Sequence, residues 1–259
     1  MTELVRSEVS DGVATLTLDS PHNRNALSPQ LMGELSAELR EAIADDAVRV
    51  VVLSHAGKVF CSGMDLKATA GAGDATDMPV SALPEILTLI WESSKPVVAR
   101  VGGPARAGGI GLVAAADIAV AGWSATFAFT EVRLGVVPAV ISVPVLPRML
   151  PRTAHELFLT GETFDAVRAA AAGLVNVAVE DNVLDEEVRR YVDMLMQGAP
   201  GALAATKVLL RRPSAGSTAD DLAELSALSA ARFASEEGRE GVAAFAEKRR
   251  PGWVPERSA

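Results

Sequence analysis

A strand, a glycine-rich loop and the start of a helix follow one another in Val97-Val-Ala-Arg-Val-Gly-Gly-Pro-Ala-Arg-Ala-Gly-Gly-Ile-Gly-Leu112. The same order recurs in Val50-Val-Val-Leu-Ser-His-Ala-Gly-Lys-Val-Phe-Cys-Ser-Gly-Met-Asp-Leu66. The continuous β-branched run over residues 48–53 is typical of a strand buried on both faces, and a second strand is predicted over residues 96–101. Strands that alternate with helices indicate an α/β core. We name residues 56–65 the first glycine loop and residues 102–109 the second glycine loop.

The sequence outside these stretches continues the alternation. Val13–Leu18 has period two, which predicts a half-buried strand. Ser28-Pro29 is typical of a helix N-cap followed by proline, and leucines at every fourth position predict an amphipathic helix that ends near residue 45. Further strands are expected at 118–121 and 174–179, and a helix at 166–172. Helical patterns dominate from about residue 186, so we divide the chain into a core, residues 1–185, and a helical C-terminal region, residues 186–259.

Composition excludes several classes of function. Lys and Arg total 24 against 33 Asp and Glu, a net charge of −9 in 259 residues, which disfavours nucleic acid as a partner. The single Cys61 rules out an internal disulfide and suits a reducing compartment, and the histidines His22, His55 and His155 lack metal-ligand spacing. We expect the three histidines on the surface or in loops. No apolar stretch is long enough to span a membrane, so a cytoplasmic protein is expected.

The two glycine loops suggest a binding site for a developing negative charge. Backbone N–H groups at a loop-to-helix junction are unpaired and attract anions, and two such junctions side by side can hold an oxyanion. The alternative is that Gly63, Gly108 and Gly109 only permit tight turns. Neither loop has the glycine spacing of a dinucleotide or mononucleotide site.

Eight motifs in order along nearly the whole chain resemble the enoyl-CoA hydratase/isomerase (crotonase) family. They lie at 23–27, 48–53, 60–66, 95–99, 107–117, 130–138, 173–176 and 237–249. The resemblance implies an α/β, crotonase-type spiral of β-β-α turns with a helical C-terminal trimerisation region. It also implies an acyl-CoA thioester as substrate, no cofactor other than the CoA of that substrate, and a homotrimer or homohexamer.

The resemblance assigns the reacting groups. The thioester oxygen is expected between the backbone N–H groups of Met64 and Gly108, with Glu131 as the general acid and base. Side chains and backbone around the two loops are expected to bind the substrate, and these are Arg24, Ala26, Ser62, Asp65, Leu66, Lys67 and Gly111. The candidate cations for binding the CoA phosphates are Arg24, Lys67 and residues 248–250. Phe245 and Lys248 are expected to approach the ligand of a neighbouring subunit.

Two positions depart from the family pattern. Ala107 stands where the first glycine of the second loop's triplet is usual, and Gly111 stands where two-glutamate hydratases carry a catalytic glutamate. We expect Gly111 to leave room for a bulkier or branched acyl group. The resemblance implies hydration of a 2-enoyl-CoA to a 3-hydroxyacyl-CoA, with branched, methylglutaconyl-type substrates suggested by residues 130–142. The alternatives are a double-bond isomerase that uses Glu131 alone, and a non-catalytic acyl-CoA-binding protein.

Overall fold

Two sheets form in the computed structural model, which describes residues 3–65, 82–213 and 216–255. The strands in chain order are β1 (Val5–Ser10), β2 (Val13–Leu18), β3 (Val50–His55), β4 (Val97–Val101), β5 (Ala105–Arg106), β6 (Ile118–Gly122), β7 (Thr126–Ala128), β8 (Phe164–Asp165) and β9 (Val177–Val179). The larger sheet has the order β1-β2-β3-β4-β6-β9, and all its neighbours are parallel except β1 and β2. The smaller sheet has the order β5-β7-β8.

Helices alternate with these strands and then follow them along the chain, which makes the described residues a mixed α/β structure. The helices are α1 (Pro29–Ala44), α2 (Leu83–Glu92), α3 (Gly108–Ala115), α4 (Ala139–Val145), α5 (Pro151–Thr160), α6 (Ala166–Ala171), α7 (Leu184–Met196), α8 (Pro200–Arg211), α9 (Thr218–Phe233) and α10 (Glu236–Glu247). Short 3-10 turns add to them, and one at Thr130–Leu134 follows β7. After β9 the described chain is helical, as the sequence predicts.

Periodicity predicts β2 and α1 closely. Strand β2 has the predicted bounds and buries every second side chain, and Ser28 caps α1 by accepting a hydrogen bond from the Leu31 N–H at 3.2 Å. Strand β3 is buried along its whole length. Strand β1 is not predicted, because only Val5 at its start is buried and its other side chains face solvent at the sheet edge.

The chain divides into two compact units, Met1–Val192 and Asp193–Ala259. In the second unit, the Trp253 indole N–H donates to the Gln197 carbonyl at 2.9 Å and the ring lies against Gly241. No described helix is both long and apolar enough to cross a membrane.

Asn25 fixes the loop between β2 and α1 against the first glycine loop. The side chain is fully buried, and its backbone has a φ of +52°, a left-handed conformation that Asn tolerates well. Its Oδ1 accepts from the Ser20 N–H at 2.7 Å, and its Nδ2 donates to the carbonyls of Ala56 (3.0 Å) and Val59 (2.8 Å). One buried amide therefore satisfies three backbone groups of two loops.

We expect Asn25→Ala to lower the free energy of unfolding by about 2–4 kcal/mol, because it leaves one buried and two partly buried backbone groups without the amide partner. Asn182→Ala is the control, since Asn182 is exposed and its loss is expected to cost less than about 0.5 kcal/mol. Chemical denaturation measures both values. Equal stability of the two variants would show that the Asn25 hydrogen bonds do not hold the loops.

Candidate active site

Three parallel segments bring the predicted site residues to one edge of the smaller sheet. Cys61 forms a parallel bridge with Ala105 of β5, and β5 pairs in parallel with β7. The carboxyl ends of parallel neighbours lie at the same edge of a sheet. Met64, Gly108 and Glu131 each follow one of these segments within three residues, so the fold gathers the three predicted reacting groups from distant parts of the chain.

The two glycine loops touch each other directly. Gly63 has a φ of +90°, and a Cβ placed on it would lie 3.0 Å from the Ala107 Cβ and 3.3 Å from the Arg106 carbonyl oxygen. A Cβ on Gly109 would lie 2.7 Å from the Cys61 Cβ. Glycine at these positions therefore permits the close approach of the two loops as well as the turn at Gly63.

The backbone N–H groups of Met64 and Gly108 are available to a ligand. Leu27 pairs with residue 64 by donating to the Gly63 carbonyl (2.8 Å) and accepting from the Asp65 N–H (3.3 Å), a pattern that leaves the Met64 N–H unused. Gly108 is the first residue of α3, where helical N–H groups have no partner within the helix. Neither N–H donates to another described residue. The Leu27 side chain packs beside Gly108, where a Cβ would lie 2.6 Å from the Leu27 Cδ1.

Ala107 holds a strained backbone conformation immediately before the helix. Its φ of +47° and ψ of −119° fall in a region that alanine rarely adopts. Its carbonyl accepts hydrogen bonds from the N–H groups of Ile110 (2.9 Å) and Gly111 (3.3 Å), so the first turn of α3 holds this conformation. Alanine at this position therefore carries a backbone strain that glycine would not have.

Glu131 lies in the 3-10 turn after β7, with its side chain half-buried. Its Oε2 is buried and has no hydrogen-bond partner among the described residues. Burial raises the pKa of the carboxyl above its ordinary value, although a hydrogen bond from its own backbone opposes the shift. A carboxyl with a raised pKa and an unused oxygen is suited to take and return a proton.

Gly111 does not leave the open space that the sequence suggests. A Cβ at this position would lie 2.8 Å from the Ile141 Cγ2 and 3.4 Å from the Leu87 Cδ2. Side chains of α4 and α2 therefore occupy the volume into which a residue at 111 would project. The expectation that glycine here makes room for a branched acyl group is wrong, because neighbouring apolar side chains fill that room.

We expect Gly111→Ala to lower the free energy of unfolding by about 1–3 kcal/mol, since the added methyl overlaps a β-branched side chain in a packed core. When Ile141→Ala has removed the overlapping side chain, the methyl added by Gly111→Ala should fill part of the cavity. The double variant should therefore be more stable than Ile141→Ala alone. Gly33→Ala on α1 is the matched control: nothing lies within 4 Å of its added Cβ, so it should stabilise by about 0.5–1 kcal/mol. Thermal and urea unfolding of the four variants check this, and a stabilising Gly111→Ala would contradict it.

The remaining predicted substrate-binding residues are placed unequally. The Arg24 carbonyl accepts from the Ser62 N–H at 3.1 Å, which ties residues 23–27 to the first glycine loop. The Arg24 side chain is exposed, Ala26 is buried, and Ser62 and Asp65 are half-buried. Leu66 and Lys67 lie outside the described residues. In the second unit, Phe245 is 88% exposed, and Arg249 beside Lys248 forms ion pairs with Glu240 and Glu247.

Cysteine and histidine chemistry is not supported by the geometry. Cys61 is fully buried, and burial raises its thiol pKa to about 12, which disfavours the reactive thiolate. His22 and His155 are exposed as expected, but the expectation for His55 is wrong: it ends the fully buried strand β3 and is itself buried. No group of three His, Cys, Asp or Glu residues within 3–65, 82–213 and 216–255 is arranged to hold a metal ion.

Sequence reasoning did not identify two residues of the site, Leu27 and Ile141. Leu27 is the last residue of the motif at 23–27, but its contact with Gly108 depends on the fold. Ile141 lies at the end of a short apolar run. The run is too short to show a helical period, so the sequence does not indicate which residues Ile141 contacts.

Comparison with known proteins places the chain in a family. The family model described as enoyl-CoA hydratase/isomerase matches residues 8–256. A carnitinyl-CoA dehydratase of Citrobacter koseri is 35% identical over 251 residues, covering 93% of this chain and 94% of the relative.

Solved structures agree with this match. An enoyl-CoA hydratase from Mycobacterium avium is 44% identical with a TM-score of 0.74, covering 98% of this chain and all of its own. An enoyl-CoA hydratase/isomerase from Marinobacter aquaeolei is 34% identical with a TM-score of 0.90, again covering 98% of this chain and all of its own. The predicted fold class is confirmed, and the chain belongs to the enoyl-CoA hydratase/isomerase family.

Proposed function

We propose that this protein adds water to a 2-enoyl-CoA to give a 3-hydroxyacyl-CoA, or catalyses the reverse dehydration. The observation that carries the proposal is the Glu131 carboxyl, which has a buried oxygen with no hydrogen-bond partner among the described residues and lies at the same sheet edge as two available backbone N–H groups. A carboxyl and an oxyanion site are the two elements that this reaction requires.

The proposed chemistry starts at the thioester carbonyl. The Met64 and Gly108 N–H groups hold its oxygen and stabilise the negative charge that develops there as the C2–C3 double bond accepts a nucleophile. Glu131 takes a proton from water while the water oxygen bonds to C3. The same carboxyl then gives a proton to C2, so the elements of one water molecule are added and Glu131 ends as it began. Dehydration is the same sequence reversed, and the name of the Citrobacter koseri relative fits that direction.

Double-bond isomerisation is the second candidate, because Ile141 and Leu87 fill the space beside Gly111 and Glu131 is the one family-matched carboxyl. One carboxyl suffices to move a proton between C2 and C4. The reactions differ in whether oxygen from the solvent enters the product.

The deciding experiment supplies straight and 3-methyl-branched 2-enoyl-CoAs, and the 3-enoyl isomers, in water enriched in oxygen-18. Label in a 3-hydroxyacyl product is the expected result. An unlabelled 2-enoyl product from the 3-enoyl substrate would favour the isomerase. Tight binding of acyl-CoA with no product from any substrate would instead favour a non-catalytic acyl-CoA-binding protein. The substrate panel also tests the preference for branched acyl groups.

We further propose that the protein is a homotrimer or homohexamer in the cytoplasm. Exposed apolar side chains on its helices, such as Leu210, Phe233 and Phe245, are consistent with contacts to other copies. Light scattering coupled to size exclusion measures the assembly directly, and a monomer at micromolar concentration would contradict it.

A further inference from the structure

His55 is a buried titratable side chain that the proposed chemistry does not use. It is the last residue of β3, immediately before the first glycine loop, and only 8% of its surface is exposed. Its Nε2 accepts a hydrogen bond from the Gly102 N–H at 3.0 Å. Gly102 begins the second glycine loop, so the ring joins the end of one loop's strand to the start of the other loop.

The ring also contacts the first glycine loop. His55 and Phe60 meet edge to face, with centroids 5.6 Å apart and an interplanar angle of 76°. Phe60 in turn donates its N–H to the Pro104 carbonyl in the second loop at 3.0 Å. A Cβ on Gly102 would lie only 3.1 Å from the His55 Nε2, so glycine there lets the backbone approach the ring.

The direction of the hydrogen bond fixes the state of the imidazole. A backbone N–H can only donate, so Nε2 presents its lone pair and the proton of the neutral ring is on Nδ1. Burial, and then the positive charge of Arg100, lowers the pKa of His55 to about 4. The ring is therefore uncharged at neutral pH and can accept a hydrogen bond from the Gly102 N–H.

We propose that His55 is a positioning residue that holds the two glycine loops together and so fixes the Met64 and Gly108 N–H groups relative to each other. In the proposed chemistry His55 touches no reacting atom. The proposal concerns the geometry of the loops, and only its effect on turnover rests on the proposed function.

Hydrogen exchange of the backbone amides tests the geometry without any substrate. His55→Leu removes the acceptor at similar volume, and we expect exchange at least about tenfold faster in the peptide spanning residues 102–108. His55→Gln places an amide oxygen near the Nε2 position and should restore protection. His155→Leu is the matched control on an exposed helix face, and Asn25→Ala should loosen residues 56–63 while leaving 102–108 protected.

Turnover of the enoyl-CoA substrate provides the second measurement. His55→Leu should lower kcat by about 10–100-fold with KM within about twofold of wild type, since misplaced donors weaken transition-state binding. His55→Gln should recover most of kcat, a rescue that loss of stability alone would not give. If His55→Leu does not fold, Gly102→Ala disturbs the same contact from the other side and is expected to give the same exchange pattern.

Unchanged exchange at 102–108 in His55→Leu, or in Gly102→Ala where that variant is used, would overturn the proposal. Wild-type kcat in a folded His55→Leu would overturn it equally. A wild-type protein that turns over no enoyl-CoA would refute the proposed function, and the exchange measurement would still decide the role of His55.

Discussion

Glu131→Gln is expected to lower kcat by ~10²–10⁴-fold, or ~3–5 kcal/mol of activation free energy at about 1.36 kcal/mol per decade. Glutamine keeps the size and hydrogen-bonding capacity of the side chain but cannot exchange a proton. The affinity for acyl-CoA should be retained, because the groups proposed to hold the thioester oxygen are backbone N–H groups in other segments. The loss should therefore appear in kcat and not in substrate binding.

Steady-state kinetics and calorimetric acyl-CoA binding on wild type, Glu131→Gln and Glu186→Gln measure this. Glu186 is an exposed glutamate on α7, so its variant should keep the activity and stability of wild type. A Glu131→Gln protein that keeps more than about a tenth of the wild-type kcat would remove Glu131 as the general acid and base, and with it both the hydratase and the isomerase proposals.

The same substitution should stabilise the fold at neutral pH. Burial raises the pKa of Glu131 in the folded state, so the unfolded chain ionises this carboxyl at lower pH than the folded protein does. As pH rises above the unfolded value of about 4.3, wild type therefore loses stability relative to the glutamine variant. Melting temperatures should differ in favour of Glu131→Gln at pH 8 and converge at pH 4.

Met64→Pro is expected to lower kcat by about 10²–10³-fold, the scale of one lost oxyanion donor, whereas Met64→Ala should keep most activity. Proline removes the backbone N–H that the mechanism uses. It removes no described hydrogen bond of the fold, because the pairing with Leu27 runs through the Gly63 carbonyl and the Asp65 N–H. The pair of variants thus separates the main chain of residue 64 from its side chain.

Circular dichroism and melting temperature must accompany these rates, since proline also restricts the preceding glycine, whose φ is +90°. A folded Met64→Pro with the activity of Met64→Ala would exclude the Met64 N–H from the oxyanion site. Loss of activity in Met64→Ala as well would assign the role to the side chain.

Local sequence patterns predicted those elements that show a clear periodicity or a helix cap within their own residues. Strand β2 alternates, and α1 has a cap, a proline and three leucines spaced four residues apart, so both can be predicted from a few neighbouring residues. Strands β5, β7 and β8 span two or three residues, too few for any period to show. They form because partners elsewhere in the chain complete their hydrogen bonds, which is information that a window of sequence lacks.

The same distinction holds for the site. The residues proposed to react came from the family resemblance and from the chemistry of glycine loops, and the fold places them at one sheet edge. The contact of Gly111 with Ile141 could not be predicted, because it depends on how α3 and α4 pack. A glycine in the sequence suggests free space, and the sequence does not show which neighbouring side chain fills that space. The burial of His55 was missed for a similar reason, since a histidine at a strand end resembles the first residue of a loop.

The parallel pairing of residue 61 with β5, and of β5 with β7, also has a consequence for how activity is acquired during folding. The groups at 64, 108 and 131 meet only after these non-local pairs have closed, and long-range pairs of this kind form late because ordering the intervening chain costs entropy. Helix α1 and the β1–β2 hairpin are local and need no such closure. In refolding from denaturant, the helical circular dichroism signal should therefore return before catalytic activity. The ability to bind ligand should return with the slowest phase of refolding.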